Sequence, residues 1–195
     1  MTMTETEMFE PDGRAIPYGA EGEGPALVLL PERGSDIDSL NLLAHSVAQE
    51  DFRVIRIGVS AGRGSDGVDA AAQDLVQDVV DVMDHLGVDD AWVGGHAFGG
   101  SVARAVSLAH HDRVNGVLLL GVEAADVAPP LAQGLPVLVV QGTEDEVTPV
   151  ANGDALQASA PGLVSVVPVE GGGHMFPMTH VGATSWAIED YLDWD

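Results

Sequence analysis

The sequence contains no cysteine and no lysine. The first absence excludes disulfides, thiolate metal ligands and a cysteine nucleophile. The second leaves seven arginines, scattered along the chain, against 31 acidic side chains, for a formal net charge of −24. No basic patch can be assembled from so few cations, so nucleic acid and anionic membrane surfaces are excluded as partners. Residues 1–10 carry three glutamates and neither a basic residue nor an apolar run, unlike a secretory leader. No stretch approaches the roughly 18 apolar residues of a membrane span. The expectation is a soluble, cytoplasmic protein that takes a small-molecule substrate, with its oligomeric state left open.

What is present is a core. Hydrophobic residues make up 46% of the 195-residue chain, enough to bury an ordinary interior despite the charge. Six apolar, β-branched runs of strand length occur at 26–30, 53–57, 91–94, 114–120, 136–141 and 163–169, each bounded by Gly, Pro or Asp. Helical spacing separates several of them. Over 69–86, Leu75, Val76, Val79, Val82, Met83 and Leu86 recur on one face, with aspartates 74, 78, 81 and 84 expected to face water. Further helices are expected at 98–109, 150–159 and 184–192, and a hairpin over 9–18 around Asp12-Gly13. Continuous apolar strands between helices give an α/β fold: one domain over 1–195, with a mostly parallel sheet covered by helices on both faces and an antiparallel edge at the start.

Ligands of open parallel sheets bind at the carboxyl ends of the strands, and three loops there carry reactive or special residues. Gly94-Gly95-His96-Ala97-Phe98-Gly99-Gly100 leaves a strand and enters a helix; glycines two positions either side of residue 97 suit a sharp, strained turn that lifts that position at the helix start. In 141–149, Asp145 sits among turn residues. Taken alone it reads as an Asx turn. After the last strand, Glu170-Gly171-Gly172-Gly173 delivers His174, which alone reads as a loop histidine. The order of turn, acid and histidine on successive strand ends is far more specific than any one of them.

On these residues the chain resembles the α/β-hydrolase superfamily, through residues 59–65, 95–100, 138–145 and 171–174. The resemblance implies a triad whose acid is Asp145 and whose histidine is His174, with Phe98 N–H as one oxyanion donor. Three departures matter. The nucleophilic serine position of that family is held by Ala97, whose methyl cannot attack a carbonyl, and Ser101 lies one helical turn further on, where packing or a bond to the helix backbone is expected. The usual His-Gly of the early loop is replaced by Pro31-Glu32-Arg33-Gly34; Pro31 has no N–H, which leaves Arg33 N–H as the second oxyanion candidate, while Glu32 adds negative potential. Only residues 121–134 join the fourth and fifth runs, too few for the helical cap that many relatives insert.

Glu32 and Met175 flank these positions as candidate substrate contacts, with Phe98 beside them. His96 reads as structural, and His110 and His111 as helix-end residues suited to the dipole. No metal site and no cofactor is read from the sequence. Three functions stay open: a serine hydrolase of esters, thioesters or lactones with its nucleophile replaced; a non-hydrolytic enzyme using the His174–Asp145 dyad, of lyase, cofactor-free oxygenase or cyclase type; and a non-catalytic binding protein.

Overall fold

The computed structural model describes residues 5–58 and 71–193. The 59–65 stretch, the first two residues of the 69–86 helix and Trp194 lie outside them. Strands β1 (Glu7–Phe9) and β2 (Ile16–Glu21) form the expected antiparallel edge, around a turn in which Asp12 takes φ 51° and Gly13 φ 78°. The remaining strands are β3 (Ala26–Leu30), β4 (Arg53–Ile57), β5 (Ala91–His96), β6 (Val114–Leu120), β7 (Val137–Gly142) and β8 (Val164–Val169). They pair in the order β1-β2-β4-β3-β5-β6-β7-β8, and every contact from β4 to β8 is parallel. The chain steps from β3 outward to β4 and then returns to β5 on the other side of β3. The order therefore reverses between β3 and β5, and a crevice opens at their carboxyl ends.

Alternation along the strands builds two cores. Val28, Leu30, Val117, Leu119, Val137 and Val139 face one side, beneath α2 (Val76–His85) and α3 (Phe98–Ala109). Leu27, Leu29, Leu118, Leu120, Leu138 and Val140 face the other, beneath α1 (Asn41–Ala48) and α6 (Val181–Leu192). Helix α4 (Val150–Ser159) and the single turn α5 (Phe176–Thr179) complete the helices named here. Sequence reading provides no element between β3 and β4, but two parallel neighbours require a crossover, and α1 supplies it with Leu43, Ala44 and Val47 buried.

The helix expected over 69–86 opens, within the described residues, as a 3₁₀ turn at Ala72–Leu75 before α2. One of its aspartates corrects the expectation: Asp78 is buried, not solvated, and pairs with Arg14 of the hairpin, which also holds Asp81. Residues 121–134 contain no helix, so this connection contributes no helical cap. No helix among the described residues is long and apolar enough to cross a membrane.

Candidate active site

A single residue, Ala97, connects β5 to α3, and it does so at φ 51°, ψ −109°. An L-residue held there costs of order 1–3 kcal/mol. The surroundings enforce it. Ala97 N–H donates to the Leu120 carbonyl at 2.9 Å, which ties the turn to β6. A Cβ on Gly95 would meet the Gly99 backbone at 2.5 Å, and one on Gly99 would meet the Leu30 carbonyl oxygen at 2.3 Å. Both glycines are thus required by close backbone approach, not by flexibility. Phe98 opens α3, where the first N–H groups of a helix have no intrahelical acceptor.

The loop after β7 places Asp145 in an Asx turn of its own. Its Oδ1 accepts from Val147 N–H and Thr148 N–H at 2.9 Å each, and its Oδ2 from the Thr148 hydroxyl at 2.7 Å. The loop after β8 brings His174 over this carboxylate, with Nδ1 3.1 Å from both oxygens. The turn alone would have been unremarkable; the histidine above it makes it a site. Burial pushes the Asp145 carboxyl up, but the bonds from Thr148, His174 and Val147 outweigh it and hold the group below the usual carboxylate value.

The other face of the His174 ring is occupied as well. Nε2 lies 2.7 Å from Glu32 Oε1, so the imidazole is gripped by a carboxylate on each nitrogen. Burial pulls its pKa down; the hydrogen bonds to Glu32 and Asp145 outweigh this and raise it above the ordinary 6.5. The topology explains the encounter: Glu32 follows β3 by two residues, and β3 is paired with β5 so that Leu30 lies beside Gly95. His96, at the end of β5 and 1% exposed, sends Nε2 to the His174 carbonyl oxygen at 2.7 Å. Its Nδ1 lies 3.9 Å from Glu32 Oε2. Burial, the dominant influence, lowers the His96 pKa. Glu32, His96 and His174 each offer one ligand atom within 4.8 Å of the others.

The remaining expected residues sit around this group. The Arg33 guanidinium lies over the Phe98 ring, 3.6 Å from its centroid, and both line a cleft of about 150 Å³ with Ala72, Gln73, Ser101 and Glu123. Met175 is 43% exposed next to His174. Ser101 donates to Glu123 Oε1 at 2.6 Å, not to its helix backbone as expected. The sequence offers Glu32 as a substrate contact and a source of negative potential and His96 as structural; it does not reveal that both contact His174. The signal for them was the placement of residues 31–34 and 95–97 at the ends of strands that could have been inferred to be neighbours.

Comparison with known proteins follows the geometry. A sequence profile of the Alpha/beta hydrolase family matches residues 26–181. The zearalenone hydrolase of Bionectria ochroleuca is 27% identical over 121 residues, which are 59% of this chain and 46% of that protein. The chain thus spans about half the length of that relative or less. Among solved structures, an esterase from Thermogutta terrifontis superposes with a TM-score of 0.82 at 16% identity, covering 97% of this chain and 98% of that one. A meta-cleavage product hydrolase from Pseudomonas fluorescens, solved as a serine-to-alanine mutant complexed with acetates, superposes with a TM-score of 0.80 at 16% identity over 96% and 97% of the two chains.

Proposed function

The chain belongs to the alpha/beta hydrolase family, and from that premise we propose that it is a hydrolase of a small carbonyl substrate, an ester, thioester or lactone, in which water takes the place of the missing serine. The observation that carries this reading is the grip of two carboxylates on one imidazole, Asp145 on Nδ1 and Glu32 on Nε2 of His174, whose ring lies 4.7 Å from that of His96, the residue before Ala97. A histidine free to deprotonate a serine would need an open Nε2. Here that nitrogen already shares a proton with Glu32.

In the proposed reaction Glu32 accepts a proton from water through Oε2 as the water oxygen attacks the carbonyl carbon. The tetrahedral oxyanion is met by Phe98 N–H at the start of α3 and by Arg33. Its collapse breaks the bond to the leaving oxygen or sulfur. That atom takes a proton from the His174 imidazolium, which Asp145 has held in place, and the proton from water restores the pair. Acid and alcohol, or thiol, leave with atoms balanced and no covalent intermediate. The small capless cleft suits substrates presented by a short acyl group, and residues 1–195 act as one catalytic unit.

The strained backbone of Ala97 favours one second reading, a serine hydrolase with its nucleophile replaced. Intact-mass spectrometry after rapid mixing with excess activated aryl ester separates the two. Water attack predicts that the wild-type chain turns over the ester with no acyl adduct. No turnover in the wild type, together with strong adduct formation and fluorophosphonate labelling in Ala97→Ser, would replace it by the second reading.

A further inference from the structure

The geometry points to a divalent transition-metal site formed by Glu32, His96 and His174, to which nothing in the family comparison or in the sequence reading assigned a metal. The argument starts from hydrogen-bond roles. A carbonyl oxygen can only accept, so the 2.7 Å contact of His96 Nε2 with the His174 carbonyl fixes Nε2 as the protonated nitrogen. That leaves Nδ1 as the ring nitrogen open to a ligand, and it lies 3.9 Å from Glu32 Oε2. His174 repeats the arrangement. Asp145 holds Nδ1, and Nε2 lies 2.7 Å from Glu32 Oε1, where an ion would displace the proton that the two share.

Three possible ligand atoms thus lie within 4.8 Å of one another. A single proton can bridge His174 to Glu32 but does not reach His96. One cation serves all three. Nitrogen and carboxylate ligands sit about 2.0–2.2 Å from zinc, which puts neighbouring ligand atoms roughly 3.3 Å apart; the 2.7 Å and 3.9 Å separations bracket that value. The outer shell is built in the way metal-bound histidines require, each ring donating its distal N–H to a carboxylate or a backbone carbonyl. Two imidazoles and one carboxylate favour a first-row divalent ion such as Zn²⁺, Co²⁺ or Fe²⁺ over Mg²⁺ or Ca²⁺, which prefer all-oxygen shells. With three protein ligands the ion keeps open positions, and when bound it would supply a water of lowered pKa.

Glu32 and His174 cannot hold the ion and act as base and acid at once, so the ion-bound form is a separate state of the site; its test uses no substrate and is therefore read apart from the hydrolytic reading. Protein freed of metal by a chelator and desalted is titrated calorimetrically with Zn²⁺, and separately with Co²⁺ while the visible spectrum is followed. The expected result is one tight site per chain, with intense Co²⁺ bands of a four- or five-coordinate ion. Glu32→Gln and His96→Asn should each weaken binding at least about tenfold, and Asp145→Asn by about ten- to a hundredfold through loss of the His174 anchor. Far-UV circular dichroism checks that each variant is folded, and the three variants alter different elements of the site. Absence of a one-to-one site in the wild type overturns the proposal. So does a site of equal affinity in folded Glu32→Gln and His96→Asn, because the ion would then sit on surface carboxylates.

Discussion

Ala97 holds the sharp turn from β5 into α3 at φ 51°, and its methyl side chain carries no nucleophile. Glycine takes that backbone without a Cβ penalty. Ala97→Gly should therefore stabilise the fold by up to about 1 kcal/mol, a rise of roughly 2–4 °C in Tm for a chain of this size by calorimetry. A fall would mean that the Ala97 methyl packs better than its backbone is strained. The second residue to test is His174. Its pKa is raised in the folded state, so it stabilises the protonated form: this contribution is complete below the unfolded value near 6.5 and is lost as pH rises through the higher folded value. In the proposed mechanism the protonated ring is the acid, so turnover should decline as pH climbs through that same value, whereas a serine hydrolase would gain. Proton NMR of the ring in the wild type and in Glu32→Gln locates it. The titration should move down when Glu32 loses its charge, and an unmoved titration would remove Glu32 from the pair.

At the scale of elements, the hairpin is fastened to α2 through Arg14, which meets both Asp78 and Asp81. Asp78 is buried, so Arg14→Met should cost about 1–3 kcal/mol by leaving a buried carboxylate less compensated. Chemical denaturation should detect that loss, and an unchanged midpoint would show that the carboxylate is satisfied without Arg14. Asp78 also shows where sequence reading stops. The helical period of 69–86 identified the buried face through Val79, Val82 and Met83, but a period cannot reveal that a charged residue at its edge will meet an arginine more than sixty positions away. Long apolar strands and α3 were legible because one side chain pattern decided them. By contrast, α1 was not, although Leu40, Leu43, Ala44 and Val47 carry its spacing; the crossover demanded by parallel strands was the better clue. The Asp145–His174 pair was legible from loop order, while the Glu32 and His96 contacts depended on β3 and β5 being neighbours, which pairing, not periodicity, determines.

For the whole molecule, a net charge of −24 opposes compaction through self-repulsion. Raising NaCl from about 0.01 M to about 0.5 M shortens the screening length from roughly 30 Å to under 5 Å and should raise Tm; a flat or falling Tm would indicate that the surface charges are already balanced by local pairing. The candidate site lies at one reversal of strand order, and the proposed function has catalysis there run through Glu32 and His174 without an acyl-enzyme. The most direct measurement is steady-state hydrolysis of a panel of aryl esters, thioesters and lactones by wild-type protein and Glu32→Gln. The account predicts turnover by the wild type and a fall in kcat of at least about a hundredfold in Glu32→Gln, the scale of general acid–base assistance. Wild-type hydrolysis no faster than buffer across the panel, or equal rates for the two proteins, would contradict it.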